Sequence, residues 1–346
     1  MMAADSVQEA VARSVLLMRA YAGCGVQSHR GDALAPTAWR LLEDNRLLNL
    51  CDPADRTDID AYREAIWSMN APALYTIMQL SRALAAGGIP HVFIKSPLLT
   101  HDLYGDYFFR MSTDVDVLVT AADRTRALRV LDELDFRLNE ECRTLYWRTF
   151  MGEQHLEPLR PDFLTVDLHT TIRHPAGYAP DLTRGILAGR TMTALGDGHV
   201  PVPNPSDAFL LAAVYLLKAL LKYEPAGSHL LDLTVMHQRL DVEDARGITV
   251  LASARGLNRT TAFARDAVMA LLAPEIETVS SDAGPLRCAL GGDDLWTRLL
   301  APSEAGPLRR ARCVAASCDR LSGSLRAISW EIGRKLAQKA AHARLF

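Results

Sequence analysis

Two aspartates spaced two residues apart are the side chains in this sequence that most clearly suggest chemistry. Asp114 and Asp116 lie in an apolar, β-prone run from residue 113 to residue 120. Successive side chains of a strand alternate between its faces, so both carboxylates point one way and the intervening valines point into a core. Neighbouring carboxylates repel, and hard divalent cations prefer oxygen ligands. We therefore interpret the pair as a Mg²⁺ or Mn²⁺ site, with two solvated surface acids as the alternative.

A third acid, Asp167, lies in a second strand-like run from residue 164 to residue 170. If this strand lies beside the first, the three carboxylates converge. We then expect Asp116 to bridge two metal ions. Asp167 is expected to bind the catalytic ion and to assist deprotonation of an attacking hydroxyl. The alternative is a surface acid on an edge strand.

Three residues near these acids are candidates to hold phosphates. Ser96 is a favoured N-cap before Pro97, and the free N–H groups at a helix start suit an anion. Lys95 comes just before this helix, and Arg110 comes just before the acidic strand. The planar fork of an arginine matches phosphate geometry. We expect Lys95, Ser96 and Arg110 to position a nucleoside triphosphate, although a helix cap and solvated basic chains are the ordinary alternatives.

Two histidines are placed by a predicted hairpin. The segment 160–162, Arg-Pro-Asp, has the composition of a turn between two strands. In that register His155 faces Asp167 across the hairpin, and His169 lies two residues further along on the same face as Asp167. Each histidine could orient the acid or share its proton, and a structural hydrogen bond remains equally open for both.

Helical periodicity covers most of the chain outside this central segment. We expect an N-terminal helical region over residues 1–86, an α/β core with a small mixed sheet over 87–203, and a C-terminal helical region over 204–346. The helical stretch that ends the first region is predicted to break at 70–72, because proline removes a backbone donor. A segment rich in Gly, Pro and Asp, 281–294, is predicted to be a loop.

The composition is that of a globular chain without a global basic charge. Its 346 residues carry a net charge of −3, which disfavours a long nucleic acid as partner. Six scattered cysteines without a Cys-x-x-Cys spacing predict reduced thiols and a cytoplasmic location. The first residues lack the pattern of a signal peptide, and the longest apolar stretch, 208–217, is too short for a transmembrane segment.

Taken together, the central motifs resemble the uncharacterised nucleotidyltransferase family of the DNA-polymerase-β-like superfamily. The resemblance covers residues 70–175 and extends weakly over the flanking helices. It implies a small mixed sheet with helices, Mg²⁺, a bound nucleotide, and catalytic carboxylates at Asp114, Asp116 and Asp167. It rests on the order and spacing of four segments: Gly88-Ile-Pro-His-Val-Phe-Ile-Lys95-Ser96, His101-Asp-Leu-Tyr104-Gly-Asp106, Arg110-Met-Ser-Thr-Asp114-Val-Asp116-Val-Leu-Val119 and Val166-Asp167-Leu-His169.

The function implied by this resemblance is transfer of a nucleoside monophosphate from a nucleoside triphosphate to a hydroxyl-bearing acceptor, with release of pyrophosphate. The acceptor could be a small molecule, a peptide or a protein. One alternative is a glycosyltransferase that uses the Asp-Val-Asp segment on a nucleotide-sugar, although the helical pattern before residue 90 counts against it. Another is a non-catalytic family member that binds a peptide or protein, because Ser96 stands where the family has a glycine that lets the backbone approach the triphosphate.

Overall fold

The computed structural model describes residues 6–24, 35–51, 58–144, 146–172, 182–273, 281–290, 295–303 and 307–344. In this part of the chain, fourteen helices flank in sequence the strands of one five-stranded mixed sheet and of a separate two-stranded hairpin. The expected α/β class with a small mixed sheet and helical flanks is confirmed.

The helices in chain order are α1 (Val7–Tyr21), α2 (Pro36–Asp44), α3 (Asp58–Ala86), α4 (Ser96–Tyr104), α5 (Arg124–Glu133), α6 (Thr183–Ala188), α7 (Pro205–Lys222), α8 (Gly227–Arg239), α9 (Val242–Ala254), α10 (Asn258–Leu272), α11 (Gly284–Leu290), α12 (Leu295–Leu300), α13 (Pro307–Ser317) and α14 (Leu321–Arg344). The strands are β1 (His91–Phe93), β2 (Val115–Val119), β3 (Phe136–Leu138), β4 (Glu153–Pro158), β5 (Val166–His169), β6 (Thr191–Leu195) and β7 (Gly198–Val202). Short 3₁₀ turns occur at Leu48–Leu50 and Glu140–Arg143, and a π-helix spans Trp147–Met151.

The five-stranded sheet has the strand order β1-β2-β5-β4-β3. The central pair, β2 and β5, is parallel, and the other three pairs are antiparallel. A parallel pair requires a crossover, which here runs through α5, β3 and β4 before the chain returns as β5. The predicted hairpin around residues 160–162 is present, and its register places His155 opposite Asp167.

One face of this sheet is covered by a hydrophobic core. Val115, Val117 and Val119 of β2 are fully buried in it, as their alternation with the acids predicts. Ile77 of α3 and Leu131 of α5 belong to the same core. Full burial of such a side chain contributes roughly 1.5–3 kcal/mol to stability. Because alternate residues face opposite sides, this packing fixes which face carries the acids.

The predicted break of the long helix at 70–72 is wrong. Helix α3 continues through Pro72 without interruption. Ile66 and Ile77, which lie on either side of the proline, are fully buried. Packing on both sides therefore outweighs the backbone hydrogen bond that the proline removes.

Two further elements differ from the sequence pattern. Helix α11 forms within the segment 281–294 that was expected to be a loop, and its Leu286 is fully buried. Residues 291–294 of that segment lie outside the described residues. The hairpin of β6 and β7 has no counterpart in the elements predicted above, because its short, partly exposed strands lack a clear apolar alternation.

The chain separates into two compact units, each built from two chain segments. The helical unit consists of Met1–Arg63 and Phe209–Leu325. The sheet unit consists of Glu64–Ala208 and Arg326–Phe346 and contains both sheets. The expected division into three consecutive regions, 1–86, 87–203 and 204–346, stays a prediction.

None of the helices that the structure describes is long and apolar enough to cross a membrane. The six cysteines are free thiols.

Candidate metal centre

Strand pairing places three polar side chains in a row across the sheet. Asp116 of β2 is the direct partner of Asp167 in the parallel ladder with β5. His155 of β4 is the direct partner of Asp167 on its other side. Neighbouring strands lie about 4.8 Å apart, so paired side chains on one face come into contact. The structure therefore brings together three of the residues that the sequence singled out.

His155 contacts the central acid of this row. Its Nδ1 is hydrogen-bonded to Oδ1 of Asp167. This hydrogen bond raises the pKa of His155 above its ordinary value, and the negative charges of Asp167, Glu153 and Asp114 add to the rise, although partial burial opposes it. The carboxylate accepts, so the histidine donates from Nδ1 and holds one oxygen of Asp167 in place.

Asp114 lies just before β2, on the same side of the strand as Asp116 by alternation. Its side chain is half-buried, and its charge reaches His155 strongly enough to contribute to that residue's raised pKa. Its carboxylate is therefore at the N-terminal end of β2, on the side of the sheet that carries Asp116 and Asp167. It does not belong to the tight group of ligand atoms described below.

His169 lies two residues beyond Asp167 and between two further carboxylates. Its Nε2 is 2.7 Å from Oδ1 of Asp116, and its Nδ1 is 3.6 Å from Oε2 of Glu153. Glu153 is the partner of His169 in the pairing of β4 with β5. The sequence reasoning missed Glu153, although its position two residues before His155 places it on the same strand face.

Asp116, Asp167 and His169 form a compact group of potential metal ligands. One donor atom from each lies within 4.8 Å of the others, and the three residues are only 4%, 7% and 5% exposed. Ionised carboxylates that are buried side by side require compensating positive charge. Two carboxylate oxygens and one imidazole nitrogen form a donor set that fits a divalent cation.

Lys95 approaches this group from the turn between β1 and α4. Its Nζ is 3.8 Å from Oδ2 of Asp116, and a third of its side chain is exposed. The backbone at Lys95 has φ 59° and ψ −137°, a conformation that residues with a side chain rarely adopt. Such a conformation costs about 1–3 kcal/mol and persists only where the surroundings impose it. The strained position is therefore Lys95, one residue before the position where the family resemblance has its glycine.

The start of α4 differs by one residue from the prediction. Lys95 occupies the N-cap position, and Ser96 is the first helical residue, so the prediction of Ser96 as N-cap is wrong. The backbone angles of Lys95 are not helical, whereas Ser96 is already part of the helix, so α4 begins one residue earlier than predicted. The start of this helix therefore directly follows the lysine that approaches Asp116.

The loop that carries Arg110 is held by a buried asparagine. Asn70, on α3, donates from Nδ2 to the backbone oxygens of Tyr107 and Arg110 at 2.6 and 2.9 Å. Its Oδ1 accepts from the backbone N–H of Ser112 at 2.8 Å. Asn70 is fully buried, and the sequence reasoning missed it. The loop leads directly to Asp114, so Asn70 fixes the entry to the acidic strand.

An aromatic side chain packs against His155. The indole of Trp147 lies edge-on to the imidazole of His155, with ring centroids 4.9 Å apart. Trp147 begins the π-helix, an element that often occurs at functional sites. Phe150 of the same π-helix packs on Trp330 of α14 at 4.8 Å. The last part of the chain thus supports the segment that covers His155.

Comparison with known proteins gives one family. The model of a family described as uncharacterised nucleotidyltransferase matches residues 27–273, more than two thirds of the chain. Among solved structures, the chain is similar to the solution structure of the antibiotic-resistance factor ANT(2'')-Ia, at 13% sequence identity and a TM-score of 0.38. That similarity covers 54% of this chain and 94% of the other. No curated protein matches the chain.

Proposed function

Because the chain belongs to the uncharacterised nucleotidyltransferase family, we propose that it transfers a nucleoside monophosphate from a nucleoside triphosphate to a hydroxyl-bearing acceptor, releasing pyrophosphate. The observation that carries this proposal is the buried pairing of Asp116 with Asp167 on neighbouring parallel strands. Nucleotidyl transfer depends mainly on positioning the triphosphate and neutralising its charge, and buried carboxylates with a divalent cation meet that need.

The catalytic carboxylates are Asp114, Asp116 and Asp167, and the ion is Mg²⁺ or Mn²⁺. A divalent ion bound there would supply positive charge to the phosphate oxygens and lower the pKa of the acceptor hydroxyl. Asp116 and Asp167 present oxygens from one face of the sheet, and Asp114 adds negative charge at the same edge. The buried, crowded acids support a role in holding a cation rather than one as solvated surface acids.

Asp167 is the residue that receives the proton of the attacking hydroxyl. The acceptor oxygen forms a bond to the α-phosphorus, and the bond from that phosphorus to the bridging oxygen of pyrophosphate breaks. His155 holds Oδ1 of Asp167 through Nδ1, which leaves the other carboxylate oxygen to accept the proton. His155 is in this way a positioning residue.

Lys95, Ser96 and Arg110 position the triphosphate. The ammonium of Lys95 lies within 4 Å of a carboxylate oxygen of Asp116, so it can reach a phosphate that approaches the same acid. Ser96 contributes the backbone N–H at the start of α4, where the helix dipole favours negative charge. Arg110 is carried by the loop that Asn70 fixes, and its guanidinium suits phosphate oxygens.

The acceptor is a small molecule, a peptide or a protein. A net charge of −3 supports an acceptor other than a long nucleic acid, because such partners are bound largely through basic surfaces. We also propose a cytoplasmic location, which the six free thiols support.

Substitution of Asp116 tests the proposal. Asp116→Asn removes one buried negative charge and keeps the shape of the side chain. We expect metal-dependent pyrophosphate release, measured with each of the four nucleoside triphosphates and a host extract as the source of acceptor, to fall at least about a hundredfold. Thermal melting should show that the variant is folded. Asp132→Asn, on the exposed side of α5, is the matched control and should keep full activity.

Two results would contradict this assignment. Full pyrophosphate release by folded Asp116→Asn protein would show that the carboxylate of Asp116 takes no part in the reaction. Release of nucleoside diphosphate from nucleotide-sugars, without any pyrophosphate release from triphosphates, would favour a glycosyltransferase instead.

A further inference from the structure

His169 is the member of the tight ligand group that is not a carboxylate. It is buried on β5, on the same strand face as Asp167 and in contact with Asp116. Its two ring nitrogens face different acids, with Asp116 at Nε2 and Glu153 at Nδ1. The ring therefore lies between the acids of the proposed metal centre and a carboxylate that the proposed reaction does not use.

Nε2 of His169 lies close enough to Asp116 for one divalent ion to bind both side chains. The distance from Nε2 to Oδ1 of Asp116 is 2.7 Å, and both side chains are buried. Donor atoms of Asp116, Asp167 and His169 lie within 4.8 Å of one another, which is the spacing that ligands of one ion have.

Glu153 places a carboxylate beside the other ring nitrogen of His169. Its Oε2 lies 3.6 Å from Nδ1, which is too far for a direct hydrogen bond, but its negative charge is next to the ring nitrogen that faces away from Asp116. Nε2, on the Asp116 side of the ring, is the nitrogen that faces the proposed metal centre. Carboxylates placed in this way fix the tautomer and orientation of the histidine and increase its strength as a ligand.

We propose that His169 binds the metal directly through Nε2, that Glu153 positions its ring, and that this nitrogen ligand makes the centre prefer Mn²⁺ to Mg²⁺. This inference rests on the metal centre of the proposed function. Mg²⁺ is bound almost entirely by oxygen, whereas imidazole suits transition-series ions and follows their higher affinity for nitrogen. A centre with two carboxylate oxygens and one buried imidazole therefore discriminates against Mg²⁺.

Electron spin echo envelope modulation of the full-length protein loaded with Mn²⁺ alone, without nucleotide, tests direct ligation. We expect modulation from a directly bound ¹⁴N in the unaltered protein, and its conversion to a ¹⁵N pattern when histidine is ¹⁵N-labelled. The modulation should disappear in His169→Gln and persist in His155→Gln, the matched control for a histidine whose ring is hydrogen-bonded to Asp167 and which lies outside the tight ligand group. The isotope experiment needs no variant, so it remains decisive if His169→Gln does not fold.

Metal affinity tests the preference. By calorimetry we expect Mn²⁺ to bind at least about tenfold more tightly than Mg²⁺. His169→Gln should weaken Mn²⁺ binding at least about tenfold and Mg²⁺ binding much less, and Glu153→Gln should weaken Mn²⁺ binding about tenfold through the misplaced ring. His169→Asp, which restores a set of oxygen ligands only, should move the preference toward Mg²⁺.

Three outcomes overturn the inference: no nitrogen modulation in the Mn²⁺-loaded protein, modulation that is lost in His155→Gln instead of His169→Gln, or equal affinities for the two ions. These measurements are independent of pyrophosphate release. A protein with the nitrogen signal but no transfer activity would refute the proposed function alone, and an active protein without the signal would refute this inference alone.

Discussion

At the scale of single residues, Lys95 combines a position next to the proposed metal centre with an unfavourable backbone. Its φ of 59° is one that glycine adopts without strain, yet the residue is a lysine whose ammonium approaches Asp116. The proposed function assigns a role in binding triphosphate to this ammonium, which glycine would not supply. The strain and the charge can be separated by two substitutions at the same position.

Lys95→Gly and Lys95→Met both remove the ammonium, but only glycine relieves the backbone. We expect Lys95→Gly to unfold in urea with a free energy about 1 kcal/mol higher than that of Lys95→Met. Both variants should bind nucleoside triphosphate more weakly than the unaltered protein, because both lack the positive charge. Equal stability of the two variants would show that the turn is not strained. Unchanged triphosphate affinity in both variants would show that Lys95 does not bind the triphosphate.

At the scale of elements, the candidate site depends on hydrogen bonds from α3 that hold its neighbours. Asn70 makes three hydrogen bonds to the backbone of the loop from Tyr107 to Ser112, and His91 at the start of β1 contacts Ser81. Both polar side chains are buried, so their partners have no water to replace them. The helix therefore orders both the loop before β2 and the edge strand beside it.

Asn70→Ala should loosen the loop that carries Arg110. It leaves two backbone oxygens and one N–H without their partner, which we expect to cost about 2–3 kcal/mol in the free energy of unfolding. Urea denaturation measures this loss. Ser68→Ala, on an exposed side of the same helix, is the control and should change stability by less than about 0.5 kcal/mol. A loss equal to that of the control would show that the loop is held by other contacts.

His91 should make stability depend on pH. Burial lowers the pKa of His91 below its ordinary value, and the nearby charge of Arg190 lowers it further, while a hydrogen bond with the Ile89 carbonyl opposes this. The unfolded chain therefore binds a proton first as the pH falls below about 6.5. This part of the stability is present above that pH and is lost as the pH falls toward the folded-state pKa.

Replacement of this histidine should make the pH dependence of stability shallower. We expect the free energy of unfolding of His91→Gln to fall less steeply between about pH 7 and pH 5 than that of the unaltered protein. The exposed residue His199 on β7 provides the control His199→Gln, which should keep the original slope. Parallel curves for the unaltered protein and His91→Gln would contradict the prediction.

The sequence allowed the elements of the site to be predicted better than their surroundings. Alternation in β2 and turn chemistry at residues 160–162 are local signals, and they predicted the buried valines and the pairing of His155 with Asp167. The continuity of α3 through Pro72 depends on packing with distant residues, which outweighs local propensity, and the unusual backbone angles of Lys95 have no local sequence signal. The contacts of Asn70 join residues about forty positions apart, so no local sequence pattern predicts them.

At the scale of the whole molecule, each unit joins chain segments that are far apart in sequence. In the helical unit, the buried Asn45 links them: its Nδ2 donates to the carbonyls of Leu41 and Leu300, both at 2.8 Å. Its Oδ1 accepts from the backbone N–H of Gly227 at 2.8 Å. A side chain at position 227 would approach this oxygen to 2.6 Å, so the contact also requires glycine there.

Asn45→Ala should destabilise the helical unit by about 2–3 kcal/mol, because it leaves the carbonyl of Leu300 and the N–H of Gly227 without this buried partner. Glu43→Ala, exposed on α2 two residues earlier, is the matched control and should be nearly neutral. Chemical denaturation followed by circular dichroism, which reports the helices, measures the difference. A near-neutral effect of Asn45→Ala would show that packing alone joins the segments.

The interleaved order of the segments has a consequence during synthesis. The first 63 residues find their partners only after residue 208 has been made, and residues 64–208 are complete only with those beyond 325. Neither unit can therefore finish folding while the ribosome is still synthesising residues 64–208. Nascent chains should expose apolar helix faces for most of their elongation, and this makes the protein a candidate client for chaperones that act at the exit tunnel.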